Sequence, residues 1–293
     1  CIYLTYDEPQ KEEFWVQIRN MVPWAKRVDG VKGSDAAHKA AAAASETERF
    51  ILIDGDNMPD PEFFNQTITF PTADYEQAVF RWRARNHING LMYGNGGLSS
   101  WTRTYVQNMH THENTDGRTE TQVEFCFDPL YWAMHDCFST TFPNQSEFHA
   151  WRAGFREGVK MSLERGVRLE NRTFKTSIHW KNLQRLLVWL NIGKDSDNGE
   201  WAILGARQGC YMTNCTDWDY IQVRDFEYLT DFWNTEVKDM TDNELSAKIV
   251  FYGNELKKRL DLEICNLDAD ASKFFKGVFK NSNRSNYGFL EKE

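Results

Sequence analysis

Two aspartates separated by a single glycine, Asp54 and Asp56, end the apolar run "FILIDGD" that begins at Phe50. Carboxylates spaced this way at a strand end can turn toward one cation, while the glycine lets the backbone approach a ligand closely. Hard oxygen donors of this kind select Mg or Mn. A second close approach is available downstream, where "HINGLMYGNGGLSSWTR" carries Gly94, Gly96 and Gly97 ahead of a helix with free N–H groups. Arg81, Arg83 and Arg85 alternate in "FRWRARN", so their guanidinium groups leave one face of a strand, either to meet phosphates or to line a solvated edge. Two helical stripes add positive charge, Arg152 with Arg156 and Lys160, and Lys273 with Lys276, Lys280 and Arg284.

These residues need elements to hold them. "CIYLTY" is β-rich, and "DEPQ" opens a helix expected to run through "KEEFWVQIRNMVPWAKRV". "DGVKGS" is a turn, Ser34 a cap for the alanine-rich "DAAHKAAAAASETER", and "FILI" a buried strand. Strand, helix, helix, strand at this spacing implies a parallel α/β sheet whose ligands sit at the carboxyl ends of strands, where both "TYDE" and "DGD" fall. "YEQAVFRWRARN" alternates like an antiparallel or edge strand, "GLMYGNGGLSSW" reads as a glycine-broken loop, and "TRTYVQNM" as helical. The expected class is therefore α/β, a Rossmann-like mixed sheet with flanking helices over residues 1–180, followed by a helical appendage over 181–293.

A chain of 293 residues can bury a large core. Its formal charge of −9 excludes a general polyanion binder, so any basic surface must be local. No apolar run approaches the roughly 18 residues of a membrane helix. The six cysteines, Cys1, Cys126, Cys137, Cys210, Cys215 and Cys265, include no C-x-x-C pair, which implies reduced thiols in a cytosol. Asn65, Asn144, Asn171, Asn214 and Asn283 head sequons, a frequency that chance accounts for.

Three chemistries use an apolar strand followed by D-x-D, and the residues that follow separate them. A helix-loop-helix calcium loop requires an oxygen ligand and then glycine where Met58 and Pro59 stand. A haloacid-dehalogenase-like phosphatase carries Thr or Val at the place of Met58. The remaining chemistry fits. "FILIDGDN" with "NGLMYGNGGLSSW" resembles glycosyltransferases of the GT-A fold, and more narrowly those encoded by T-even-type bacteriophages, which place arabinose or glucose on 5-hydroxymethylcytosine in DNA.

That resemblance implies a UDP-sugar donor, a Mn or Mg ion, double-stranded DNA as acceptor, a monomer and the host-cell cytoplasm. Under it, Thr5, Tyr6 and Asp7 grip the donor nucleotide, Lys39 meets a phosphate, and Gly96 and Gly97 lie over the donor sugar and acceptor. Asp54 contacts the donor and shares the metal with Asp56. His149 is the candidate third metal ligand, with His135 and His179 as rivals. Asp136 stands where inverting members keep a catalytic base, although it also reads as a cap, and a retaining enzyme needs no such base. Arg83, Arg85, Arg152 and Arg156 would face DNA phosphates. Alternatives are transfer to a polysaccharide or protein glycan, and a non-catalytic DNA-binding protein; a nucleotidyltransferase would need an early basic glycine loop that "TYDEPQ" lacks.

Overall fold

Short β-rich runs at the start of the chain form β1 (Ile2–Thr5), β2 (Lys26–Asp29) and β3 (Arg49–Asp54), joined by helices α1 (Lys11–Met21) and α2 (Ser34–Ala44). β1 pairs in parallel with both β2 and β3, so the opening unit is strand, helix, strand, helix, strand. The expected long first helix is thus corrected. It stops at Met21, one residue before the Val22–Pro23 step, because proline disfavours helix in the residue before it and donates no N–H of its own. The polar "KRVD" that follows forms a strand, although it carries no apolar alternation that would mark it as one. Ser34 is the first helical residue rather than the cap, a position taken by Gly33.

The computed structural model describes residues 1–70, 72–109 and 130–290. The sheet continues with β4 (Asn57–Pro59), β5 (Val79–Asn86), β6 (Met92–Thr102) and β7 (Tyr131–Thr141), and α3 (Arg103–Asn108) follows β6. Strand order is β2-β1-β3-β6-β5-β7-β4. β6 runs antiparallel to β3 and β5, β5 parallel to β7, and β4 antiparallel to β7. β5 is therefore an interior strand, which corrects the edge reading. The glycine-broken loop is corrected too: Gly94 to Gly97 lie within β6, where the register against β5 slips between the pairs Arg81↔Ser99 and Arg83↔Gly94. Glycine suits such a bulge, since the extra residues need backbone freedom that side chains restrict.

Each face of the sheet carries its own core. Tyr3, Ile53, Phe80, Trp82 and Leu98 pack with Phe14 and Ile18 of α1 on one side. Ile2, Phe50, Leu52, Val79 and Trp101 pack with Ala41 and Ala42 of α2 and Tyr105 of α3 on the other. The α/β class with flanking helices and C-terminal helices is what the chain forms.

Two compact units divide the chain: Cys1–Asn86 with Met92–Gln145, which holds the sheet, and His87–Leu91 with Ser146–Glu293. The boundary expected at residue 180 falls inside the second unit. That unit contains α4 (Glu147–Met161), α5 (Phe174–Ser177), α6 (Trp180–Asn191), α7 (Gly199–Cys215), α8 (Phe226–Phe232), α9 (Asp242–Leu260) and α10 (Ala269–Leu290). α4 and α7 meet through small residues: a Cβ at Gly154 or Gly158 would strike the backbone of Ala202 or Ala206, and one at Gly205 the carbonyl of Trp151. Arg207 of α7, 1% exposed, donates from Nε to the Leu190 carbonyl at 2.8 Å, from Nη1 to the Ile249 carbonyl at 2.8 Å and Asn266 Oδ1 at 2.7 Å, and from Nη2 to the Cys265 carbonyl at 3.0 Å. One side chain thereby ties together α6, α7, α9 and the segment after it. Among the described residues no helix is long and apolar enough to cross a membrane.

Candidate functional site

The tips of β1 and β3 are adjacent because Leu4 pairs with Asp54. Chain leaving β1 turns through Tyr6 and Asp7 and brings Glu8 back across the D-G-D turn. The Tyr6 N–H donates to Glu8 Oε2 at 2.8 Å, and the Glu8 carboxylate lies so close on Gly55 that a Cβ there would collide with it. From beneath, the Tyr3 hydroxyl donates to the Gly55 carbonyl at 3.0 Å. Gly55 is thus approached from two sides, and a Cβ there would have to displace the Glu8 carboxylate.

Asp56 is tied to β7. Its carbonyl accepts from the Phe142 N–H at 2.7 Å, and its Oδ2 from the Thr141 hydroxyl at 3.1 Å. Asp54 differs: among the described residues no side-chain hydrogen bond or ion pair reaches its carboxylate. Burial, and then the charges of Asp56 and Glu8, push its pKa up to about 8. Glu8 is raised as well, by burial first, with Asp56 and Asp7 adding and the Tyr6 N–H opposing. Carboxylate oxygens are hard donors of the kind divalent cations take. Among the described residues, no three His, Cys, Asp or Glu side chains stand grouped as metal ligands.

The glycine segment reaches the same tip. Ile53 pairs with Leu98, and the next residue toward the bulge, Gly97, lies against Asn57; a Cβ on Gly97 would come within 2.6 Å of Asn57 Nδ2. Asn57 is fully buried, and both atoms of its amide lack a hydrogen-bond partner among the described residues. Gly96 lies in the same stretch of β6.

Other expected residues have these settings. Thr5 is 2% exposed, donating to Asp29 Oδ1 at 2.6 Å and accepting from Arg27 Nε at 3.0 Å, so its hydroxyl is spent within the sheet. Tyr6 is exposed, as stacking would require. Lys39 pairs with Asp35 at 2.6 Å one turn away on α2. Asp136 is an exposed residue of β7, not a cap. His135 accepts at Nδ1 from Arg83 Nη2 at 3.0 Å, and His179 at Nδ1 from the Lys181 N–H at 3.2 Å. With Nδ1 accepting, a neutral ring carries its proton on Nε2 and offers no lone pair to a metal. His149 lies in the first turn of α4 in the second unit, with Nδ1 2.7 Å from the Ser146 hydroxyl. In the tautomer whose Nδ1–H donates to that hydroxyl, Nε2 keeps its lone pair.

Of the basic groups, Arg81, Arg83 and Arg85 leave one face of β5, while Phe80, Trp82 and Ala84 enter the core. In the second unit Arg152 stacks on Phe148 and Phe226, and Arg156 on Phe226. The side chains of Lys280 and Arg284, and Cys126, lie outside the described residues. Sequence reasoning missed Glu8 and Asn57; the glycine of D-G-D was the available sign that something presses on that turn.

No protein-family model matches the chain, and no curated protein matches it. Among solved structures it is similar to a glycosyltransferase involved in the glycosylation of the major capsid of PBCV-1, at 15% identity and a TM-score of 0.31, over 50% of this chain and 94% of that one. It is also similar to HddC from Yersinia pseudotuberculosis, at 13% identity and a TM-score of 0.28, over 47% of this chain and 69% of that one.

Proposed function

We propose that the chain is a glycosyltransferase of the GT-A type, moving a sugar from a nucleoside diphosphate, UDP in the first instance, to a hydroxyl acceptor. The observation that carries this reading is the meeting of the acidic tip with the glycine segment at the Asn57–Gly97 contact. A sugar diphosphate needs countercharge at its phosphates and backbone close to its sugar, and these two stretches answer those needs. A Mn or Mg ion held by Asp54 and Asp56 would supply the countercharge at the departing diphosphate. Tyr6, being exposed beside Asp7, suits the nucleotide base. Asp136 as base in an inverting reaction belongs to the same proposal.

The acceptor we propose is 5-hydroxymethylcytosine in phage DNA, supported by the basic residues of β5 and α4 within an acidic chain. Release of UDP should be followed over a panel of donors, with and without Mn, against plain and hydroxymethylated duplex DNA. Asp56→Ala should abolish turnover with the fold intact. Full activity of that variant without added metal would overturn the site, whereas activity on a glycan but not on DNA would overturn the acceptor alone.

A further inference from the structure

Arg81, Arg83 and Arg85 are half-buried on an interior strand, not spread along a wet edge. Their cross-strand neighbours are Ser99, Gly94 and Met92 on β6, and Ala133, Cys137 and Thr140 on β7. None of the six is acidic. Arg83 contacts His135, but among the described residues Arg81 and Arg85 make no ion pair and no side-chain hydrogen bond, and the Nε of each is sealed from water without an acceptor. The Tyr131 ring lies 4.7 Å from the Arg81 guanidinium. The neighbouring arginines of the same unit are treated otherwise. Arg27 pairs with Glu12 at 2.8 Å, and Arg49 donates to Ser100 Oγ at 3.1 Å and to the Ala78 carbonyl at 3.0 Å.

A sealed donor without an acceptor is unfavourable, and partly desolvated like charges side by side are more so. In a chain of net charge −9, no carboxylate among the described residues pairs with Arg81 or Arg85. Guanidinium forks match tetrahedral oxyanions, and Arg81 and Arg85, four residues apart on the strand, stand about 13 Å from each other, so each would take a phosphate group of its own. We propose that the β5 arginine row is a phosphate-binding site whose unspent charge is that of Arg81 and Arg85. The site does not depend on the sugar-transfer reading. Its phosphate can come from a soluble phosphoryl compound or from a nucleic-acid backbone.

The test uses the full chain and the double variant Arg81→Gln/Arg85→Gln, with calorimetric titration of inorganic pyrophosphate and, separately, of a duplex oligonucleotide. Wild type should bind one of these anions at least tenfold more tightly than the variant. Pyrophosphate binding alone identifies a soluble source. Duplex binding whose salt slope falls by about two in the variant identifies the backbone. The unliganded variant should melt at or above the wild-type temperature, since an uncompensated charge has been removed, and Arg81→Lys/Arg85→Lys should recover part of the affinity. A variant that melts several degrees lower or fails to fold would assign the arginines a structural role and overturn the proposal, as would affinities for both anions that the double variant leaves unchanged.

Discussion

Arg207 and the pair Arg81 and Arg85 are the same side chain in opposite circumstances. Arg207, in the helical unit, is wholly buried, yet carbonyls and one amide oxygen take its donors from four directions. Arg81 and Arg85, in the sheet unit, are less buried and have no acceptor among the described residues. Depth of burial therefore does not set how fully an arginine's donors are used; the acceptors placed around it do. Asp54 extends the contrast, as a carboxylate raised by burial and like charge with no donor to relieve it.

The largest effect expected from breaking this contrast is at Arg207. Arg207→Ala strands four acceptors and opens a cavity, and should cost about 3–5 kcal/mol in denaturant unfolding; a loss below about 1 kcal/mol would mean the carbonyls find water instead. Next comes the packing that surrounds it. Gly205→Ala drives a methyl into the Trp151 carbonyl, a backbone atom that cannot swing aside, and should cost about 1–3 kcal/mol.

Asp54 gives a pH-dependent effect rather than a constant one. Its folded-state pKa of about 8 exceeds the ordinary aspartate value of about 4, so the folded chain holds that proton more tightly. The resulting stability is complete below pH ~4 and is lost as pH rises toward 8. Asp54→Asn should flatten the stability profile between those limits, and parallel profiles for variant and wild type would refute the shift. The smallest effect belongs to Gly55→Ala, which meets the mobile end of Glu8 rather than backbone. It should cost about 1 kcal/mol, and Glu8→Ala should relieve it, giving a measurable coupling in a double-mutant cycle. Additive effects would place Glu8 away from the turn.

The legible parts of the chain were those where one local rule decides the outcome. The apolar run before Asp54 announces β3, and the alternation from Val79 to Asn86 announces β5 with all three arginines on one face. β2 was hidden because "KRVD" is shaped by its parallel pairing with β1 and not by its own pattern. The bulge in β6 was read as a loop, since glycines mark departure from regular structure without saying whether the strand resumes. Glu8 was missed because its place over Gly55 depends on β1 lying beside β3, a contact between residues far apart in sequence.

The mooring of Asp56 to β7 has a consequence for how the acidic tip can adapt. Asp56 has its carbonyl held by Phe142 and one carboxylate oxygen by Thr141, whereas the Asp54 carboxylate has no such tie among the described residues. Under the proposed metal-dependent transfer, adjustment to ions of different radius would fall to the first aspartate, and lengthening it to glutamate should alter which divalent ion is preferred more than the same change at the second.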